Sequence, residues 1–591
     1  MAFAPTQEQE AIRDGYRTGQ DIVIRALAGT GKTTSLEMLA RDDLLKRMTY
    51  VAFNRSIADE ASRRFPSNVT AKTMHSFAFG AVGRHFADRL NGPRVEAWKV
   101  ANILGIPERF EFGAFSLRSH QLARLVMEAV SRFCHSDASE PSASNIPKVP
   151  GLASDDARRE LTRMLYPFVV RAWEDLSAHQ GQLRFSHDIY LKLWAMTDPQ
   201  LPGDVVLADE AQDFDPVIKQ IVSNQRNAQL IYVGDSNQQI YEWRGAVDAL
   251  ASIPNALSFP LQKSFRFGPV IAAEANRILE VLGSPLRLEG HEPVDSKLAF
   301  LLDRGAADCV LTRTNAEAIA RLMNAQMDGV RAGLVGGTAQ VEALAKAALD
   351  LSEGRKTTHP ELVAFNSWNQ VREYAAEDPD AKEIQVLVKL VDRHGPYALL
   401  EAVQRAVPEQ SADLLLSTAH KGKGREWNRV LIAGDFSDPR DEDTGEWVPG
   451  ELRLAYVAVT RAKKFLDCSN LSWLTELAHF NRNEDDPQRY FLTPEEVPER
   501  EVIEVAADSA PSEQVIPDPE DATRLMFRGT KYDPELVVAQ RTLPRSKYYG
   551  IYCGHEKVRV VLATAQALAV AERFGLTVSQ AARERVAELA G

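Results

Sequence analysis

From Asp21 to Ala26 the chain reads DIVIRA, and the next eight residues are LAGTGKTT. An apolar, β-branched run that passes into two close glycines and then into Lys-Thr-Thr has few folds open to it. The glycines allow a tight turn with positive φ. The helix that follows presents free backbone N–H groups, and the positive end of its dipole, to an anion. A strand–turn–helix unit of this kind belongs to a parallel sheet covered by helices. Ala28, Gly29, Thr30, Gly31, Lys32, Thr33 and Thr34 are therefore the candidate phosphate-binding residues. The N–H groups of Gly29 to Gly31 cradle phosphate, Lys32 reaches the β and γ phosphates of ATP, and the Thr33 hydroxyl holds Mg²⁺. The general loop has glycine where this chain has Ala26, which is also small. A chance glycine-rich turn is the competing reading, and the flanking strand and helix weigh against it.

The strand–turn–helix pattern continues. MTYVAF (48–53), DVVLAD (204–209), AQLIYVGD (228–235) and ALSFPL (256–261) read as strands, with a helix over SIADEASRRF. A second set follows in CVLTRT (309–314), DLLLST (413–418) and RVLIAGDF (429–436), with helical spacing over ELRLAYVAVTRAKKF (451–465). The expectation is a second α/β domain. Mostly helical insertions occupy 85–184 and 331–409. After Phe480 the chain turns acidic and proline-rich, which reads as a linker over 481–525. Residues 526–591 regain apolar periodicity and are expected to form a small helical module.

Two further stretches carry chemistry. VVLADEAQD (205–213) is an apolar strand ending in acids. Asp209 is placed to hold Mg²⁺ and Glu210 to polarise an attacking water. The alternative is acids set for a helix dipole. VGDSNQQIYEWRGA (233–246) begins like a phosphate sensor, with Gly234, Asp235 and Gln238 at a strand end. It finishes with a flat, charged set: Tyr241, Trp243 and Arg244. A plain structural use of Tyr241 and Trp243 as core aromatics competes with a binding role.

With 591 residues the chain exceeds one hydrophobic core. Its net charge of −13 argues against general polyanion binding, so a nucleic-acid contact needs a local basic or aromatic groove. The cysteines, Cys134, Cys309, Cys468 and Cys553, are far apart and form no CxxC pair. That disfavours a disulfide framework or zinc site and fits a reducing compartment. The N-terminus lacks a signal-peptide pattern, and no apolar run is long enough to span a bilayer. The expectation is a cytoplasmic or DNA-associated protein, not secreted, with no membrane partner.

Taken in order, ALAGTGKTT, YVAFNRSIADEA, KTMHSFAF, VVLADEAQDFDP, VGDSNQQIYEWRGA, LQKSFRFG, LLLSTAHKGKGREWNRVLI and LRLAYVAVTRAKK resemble the motif set of superfamily 1 DNA helicases of the UvrD/Rep/PcrA type. YVAFNRSIADEASRRFPSNVTAKTMHSFAF and FSHDIYLKLW (185–194) are most similar to the F-box DNA helicase branch. No F-box precedes the motor in the sequence read here, so a ubiquitin-ligase role is not expected. The resemblance implies an α/β fold with two RecA-like parallel-sheet P-loop domains and ATP between them. Domain 1A would cover 1–84 and 185–263, insertion 1B 85–184, domain 2A 264–330 and 410–480, and a short 2B-like insertion 331–409.

The resemblance also implies residue roles. Gln9 matches the glutamine that reads adenine, with Gln7 close enough to compete. Phe265 replaces a tyrosine that stacks on the base, and Glu426 matches a glutamate near the ribose. Gln238 matches the γ-phosphate sensor, and Arg266 and Arg461 the arginine fingers. Trp243 would stack on a base of single-stranded DNA beside Tyr241 and Arg244. Asn54, Arg55, Thr73, His75 and His420 would make further strand contacts. Taken alone, a histidine such as His75 is more often an ordinary helix-cap or core residue. The implied activity is an ATP-dependent helicase or translocase on single-stranded DNA and ss/dsDNA junctions, travelling 3′→5′. A translocase that mainly strips proteins such as recombinase filaments is an alternative, because the 331–409 insertion is short. A DNA-bound scaffold with a vestigial ATPase is a third reading. RNA would satisfy the same spacings. The acidic tail is a candidate contact for a protein partner.

Overall fold

The computed structural model describes residues 4–480 except 91, 93–94, 113–114, 148, 150–153, 242–247, 251–252, 302–306, six positions within 358–366, 378–381 and 442–443. Beyond 480 it describes 491–492, 515–517, 524–527, 547–550, 557–562, 582–584 and 586–587. The chain divides into two compact units, Met1–Pro498 and Glu499–Gly591.

In the larger unit, the first sheet contains β1 (Ile22–Ala26), β2 (Met48–Ala52), β3 (Val69–Thr73), β6 (Val205–Ala208), β7 (Gln229–Gly234) and β8 (Leu257–Leu261). The hairpin strands β4 (Arg109–Phe112) and β5 (Phe115–Arg118) lie in the helical stretch between β3 and β6. The sheet order is β3-β2-β6-β7-β1-β8, all parallel. β2, β6 and β7 are buried at every position, as expected of apolar runs covered on both faces. β3, VTAKT, alternates half-buried and exposed positions at the sheet edge. Its polar pattern concealed it in the sequence, where only the following helix motif stood out.

The second sheet contains β9 (Lys297–Ala299), β10 (Cys309–Thr312), β11 (Ala332–Leu334), β12 (Leu414–Thr418), β13 (Trp427–Ile432), β14 (Ala462–Asp467) and β15 (Phe491–Leu492). Its order is β11-β12-β10-β13-β14-β9-β15, again all parallel. β11 falls inside the 331–409 stretch, and four helices follow it between Ala339 and Arg405. Those helices share one core with the sheet through Val341, Leu344, Leu387 and Leu399.

Three expectations change. The helical spacing over 451–465 splits into the helix Pro449–Val459 and the strand β14, because β14 fills the place between β13 and β9 in the sheet. The stretch expected as a linker contributes β15, whose Leu492 carbonyl accepts the Phe300 N–H at 2.8 Å. The smaller unit is mostly strand in its described residues, with helix only at 582–584 and 586–587. Four antiparallel strands dominate it: β16 (Val515–Pro517), β17 (Arg524–Phe527), β18 (Lys547–Gly550) and β19 (Lys557–Leu562), in the order β16-β17-β19-β18. KVRVVL in β19 is β-branched and alternating, which favours a pleated surface. Described cysteines 134, 309 and 468 are buried and unbridged, and Cys553 lies outside the described residues. Among the described residues no helix is long and apolar enough to cross a membrane.

The two sheets of the larger unit meet across an apolar seam. Leu27, Ala28 and Ile240 from the first sheet's loops join Phe267, Leu454, Ala455 and Tyr456 in one buried cluster. The same end of β1 sits between β7 and β8, with Ile24 fully buried. Ile24→Ala should cost roughly 2–5 kcal/mol. Leu45→Ala, at a site 96% exposed, should cost about 0.5 kcal/mol or less. Urea unfolding followed by tryptophan fluorescence measures both, and equal losses would show that β1 is not central to the fold.

Candidate nucleotide and strand-binding site

Parallel order places the carboxyl ends of β6, β7 and β1 side by side. Each end carries part of one site. After β1 the loop turns through Gly29 (φ +74°) and Gly31 (φ +81°). A Cβ on Gly29 would lie 2.5 Å from Ser264 Oγ and 2.7 Å from Arg266 Cβ, so both conformation and space require glycine. Gly31 precedes the helix Lys32–Asp42 without a side-chain cap, which leaves first-turn N–H groups for an anion. The Thr30 hydroxyl donates to the Leu27 carbonyl at 2.8 Å and stiffens the loop. The Thr34 hydroxyl instead accepts from Arg64 at 2.7 Å, facing the neighbouring helix.

Lys32 Nζ donates to Glu210 Oε2 at 2.9 Å. Burial works against the Lys32 charge, but Glu210, Asp209 and Asp235 outweigh it and raise its pKa. Thr33 Oγ1 donates to Asp209 Oδ2 at 3.3 Å. A hydroxyl and a carboxylate at this separation fit a small hard cation that keeps waters and phosphate oxygens as its other ligands. Tyr50, fully buried in β2, donates its hydroxyl to the same Asp209 oxygen at 2.5 Å. Burial, with Glu210 alongside, raises the Asp209 pKa against the pull of Lys32 and Tyr50. Burial also opposes charge on Glu210, but Lys32, Lys423 and a Gln212 hydrogen bond prevail and hold its pKa below the usual range. Glu210 has φ +52°, a left-handed conformation costing roughly 1 kcal/mol or more in a non-glycine residue.

Gln212 links the strand ends. Its Nε2 donates to Glu210 at 2.6 Å, and its Oε1 accepts the Asp235 N–H at 3.1 Å. A Cβ on Gly234 would meet that oxygen at 2.2 Å. Gln238 Nε2 donates to Asp235 Oδ2 at 2.6 Å, and Gln238 Oε1 accepts from Arg461 Nη2 at 3.3 Å. Arg461 is 1% exposed. Its other hydrogen bonds go to the Val457 and Arg425 carbonyls and the Thr460 hydroxyl, all neutral oxygens. Burial, with Arg266 nearby, lowers its pKa to about 9, so it stays cationic at neutral pH. Arg266 is held by its own side of the seam, 2.7 Å from Glu426 and 3.0 Å from the Thr460 carbonyl. Glu426 also faces Lys463 at 3.4 Å.

Gln9 and Phe265 flank the loop from above. A Cβ on Gly31 would sit 3.8 Å from both Gln9 Nε2 and Phe265 Cδ2. Gln9 is buried, while Gln7 is exposed on the same helix, so Gln9 is the glutamine at the loop. Its amide bonds Ser35 Oγ and the Thr6 N–H. Phe265 is 41% exposed, leaving ring surface beside the loop.

Four of the strand-contact candidates lie at the ends of β2 and β3. Asn54 caps the helix Arg55–Arg64 by accepting the Ile57 N–H at 3.0 Å, and Arg55 is open to solvent. Thr73 caps the helix Met74–Ala81. His75 Nε2 lies 3.2 Å from Asp188 Oδ1. Tyr241 is half-buried; its ring stacks on Phe53 at 5.7 Å, and its hydroxyl donates to the His420 carbonyl at 3.2 Å. Lys423 donates to the Gln238 carbonyl at 2.5 Å, pairs with Asp213, and lies 5.3 Å from the Tyr241 ring centre. Trp243 and Arg244 lie outside the described residues.

Sequence reasoning missed Tyr50, Gln212, Asp213, Lys423 and Tyr456. Gln212 and Asp213 stood in plain view within DEAQD; for the others only the motif itself was a signal, since their partners are remote. Tyr50→Phe keeps the shape and removes the hydroxyl from Asp209. The Mg²⁺ concentration needed for half-maximal ATP-analogue binding should rise about tenfold. A calorimetric titration with an unchanged midpoint would show that the hydroxyl does not orient Asp209.

Comparison with known proteins bears on the whole arrangement. Residues 5–252 match the family model of the UvrD/REP helicase N-terminal domain, and residues 340–472 that of the UvrD-like helicase C-terminal domain. The chain is 31% identical over 532 residues to F-box DNA helicase 1 of Gallus gallus, covering 81% of this chain and 50% of that protein. It is 26% identical over 513 residues to F-box DNA helicase protein 1 of Schizosaccharomyces pombe, covering 78% and 57%. The chain thus spans about half the length of these curated relatives. With both domain models matched in order, on two parallel α/β sheets of RecA-like type, the chain belongs to the UvrD/Rep-type helicase family.

Proposed function

We propose that this protein is an ATP-dependent DNA helicase and translocase that moves 3′→5′ on single-stranded DNA and acts at ss/dsDNA junctions. The observation that carries the reading is the meeting of Arg461 with Gln238 beside the Lys32–Glu210 pair. A buried guanidinium bonded only to neutral oxygens is a costly arrangement unless an anion completes it. A triphosphate on the loop after β1 supplies that anion. In this reading the loop N–H groups and Lys32 bind the phosphates, Thr33 and Asp209 hold Mg²⁺, and Glu210 orients water. Mg²⁺ neutralises charge on the phosphates. Gln238 and Arg461 sense the terminal phosphoryl group from the first and second domain respectively, and Arg266 adds positive charge from the same side as Arg461. Gln9 and Phe265 hold adenine, and Glu426 lies towards the ribose.

Strand binding falls to Asn54, Arg55, Thr73, His75, His420 and the Tyr241–Arg244 segment, with Trp243 stacking on a base. Such stacking contributes about 1–3 kcal/mol per base and tolerates any sequence. F-box DNA helicases as relatives support DNA as the track. A protein-stripping translocase is the second reading, favoured by an insertion whose helices share a core with their own sheet. Strand displacement assayed beside filament clearing separates the two.

ATP hydrolysis with and without single-stranded DNA tests the main reading. DNA should stimulate wild type. Lys32→Ala should abolish turnover, Arg461→Ala should lower it by roughly 10³-fold or more, and Trp243→Ala should blunt the stimulation. Wild type without turnover on any nucleic acid would sink the motor, leaving the scaffold. Stimulation by RNA alone would change the track.

A further inference from the structure

The structure assigns Tyr456 as a positioning residue for ATP turnover: its hydroxyl, reaching across the seam, fixes both the phosphate loop and the orientation of the Gln238 amide. The inference rests on the ATPase reading above. Tyr456 lies near the end of the helix Pro449–Val459 and is fully buried. Its neighbours Leu454, Ala455, Val457, Ala458 and Val459 are buried too, so the ring has one available place. Around it the cluster is otherwise apolar, with Leu27, Ile240 and Phe267. Phenylalanine would fill such a space equally well. A hydroxyl there is unfavourable unless its bonds are made, and both are made on the opposite side of the seam.

The hydroxyl accepts the Ala28 N–H at 3.2 Å and donates to Asp235 Oδ2 at 3.2 Å. Burial, and Asp235 beside it, keep it protonated by raising its pKa. Ala28 opens the phosphate loop. Asp235 uses its other oxygen for the Asn237 N–H, which shapes the turn that carries Gln238. The oxygen shared with Tyr456 takes Gln238 Nε2 at 2.6 Å. That bond decides which end of the amide faces Arg461. With Nε2 on Asp235, Oε1 points to the guanidinium, donor to acceptor. A flipped amide would set N–H against N–H. Tyr456 and Arg461 leave the same helix end, so one rigid element from the second domain grips the loop, the sensor and its turn at once. These bonds exist only while the two domains are apposed.

The test compares DNA-stimulated ATP turnover in wild type, Tyr456→Phe, Gln238→Ala and the double variant, with thermal unfolding of each. Tyr456→Phe should stay folded, lose about tenfold in kcat, and keep its KM for ATP within about threefold. If Tyr456 acts through Asp235 on Gln238, the double variant should lose little beyond Gln238→Ala alone. A merely structural tyrosine predicts losses that multiply, or a loss matched by the unfolded fraction, and either result overturns the assignment. An unchanged kcat in Tyr456→Phe overturns it as well, with the ATPase reading intact. A wild type that hydrolyses no ATP removes that reading and this inference together.

Discussion

Three carboxylates and one ammonium meet at one spot, with Asp209 and Asp235 buried and Lys32 and Glu210 half-buried, and the architecture of the larger unit follows from keeping them there. Asp209, Glu210 and Asp235 all surround Lys32 closely enough to raise its pKa despite its burial. No local segment can assemble such a set, because the groups come from β6, β7 and the loop after β1. A parallel sheet in the order β6-β7-β1 puts those carboxyl ends next to one another. Burying charge is strongly unfavourable unless partners are close and well aligned. The helices that cover both sheet faces, and the apolar strands beneath, hold that alignment.

The cluster is not balanced by Lys32 alone. Lys423 pairs with Asp213, and Arg461 meets Gln238, both from the second half of the chain. The apolar seam of Leu27, Ile240, Phe267 and Leu454 presses these cations into position. Hydrophobic contact supplies the non-directional attraction, while Tyr456, Lys423 and Arg461 set the register in which the two halves meet. Arg461 and Lys32 differ in an instructive way. Lys32 has a carboxylate partner within hydrogen-bond distance, whereas Arg461 has carbonyls, a hydroxyl and an amide. One cation is already paired with a carboxylate and the other is bonded by neutral oxygens alone.

What was legible in the sequence was whatever lay in consecutive residues. DIVIRALAGTGKTT and VVLADEAQD each carry a strand, a turn and their chemistry in one stretch, so both the parallel fold and the candidate site could be read from them. Contacts between remote residues could not. Tyr50 and Asp209 are 159 residues apart, Tyr456 and Asp235 are 221 apart, and Arg461 and Gln238 are 223 apart. By packing alone each tyrosine is core. Only the position of the hydroxyl gives it another role. The helical reading of 451–465 holds to Val459 and ends there for a related reason: AKKFLD has no strong pattern of its own, and β14 forms because β13 and β9 offer it a slot. The reading of the smaller unit failed because apolar periodicity was taken as helical where KVRVVL alternates.

In the segment from Asp235 to Tyr241, the side chain proposed as phosphate sensor and an aromatic ring share one set of anchors. Asp235 and Gln238 are clamped by Tyr456 and Arg461, while Lys423 holds the Gln238 carbonyl and also faces the Tyr241 ring. Tyr241 in turn leans on Phe53, at the end of β2 where Asn54 and Arg55 begin the next helix. A change in what Gln238 and Arg461 hold therefore has a short mechanical route to the end of β2, running through a clamped turn and a stacked ring pair. A loop with only one of those anchors would absorb the change by bending. With both ends fixed, it must either move its aromatic end or break a buried hydrogen bond, and the unsatisfied buried group would cost about 1–3 kcal/mol. Sliding the half-buried Tyr241–Phe53 stack is the cheaper response, and on the motor reading proposed above that is how phosphate state would reach the strand contact.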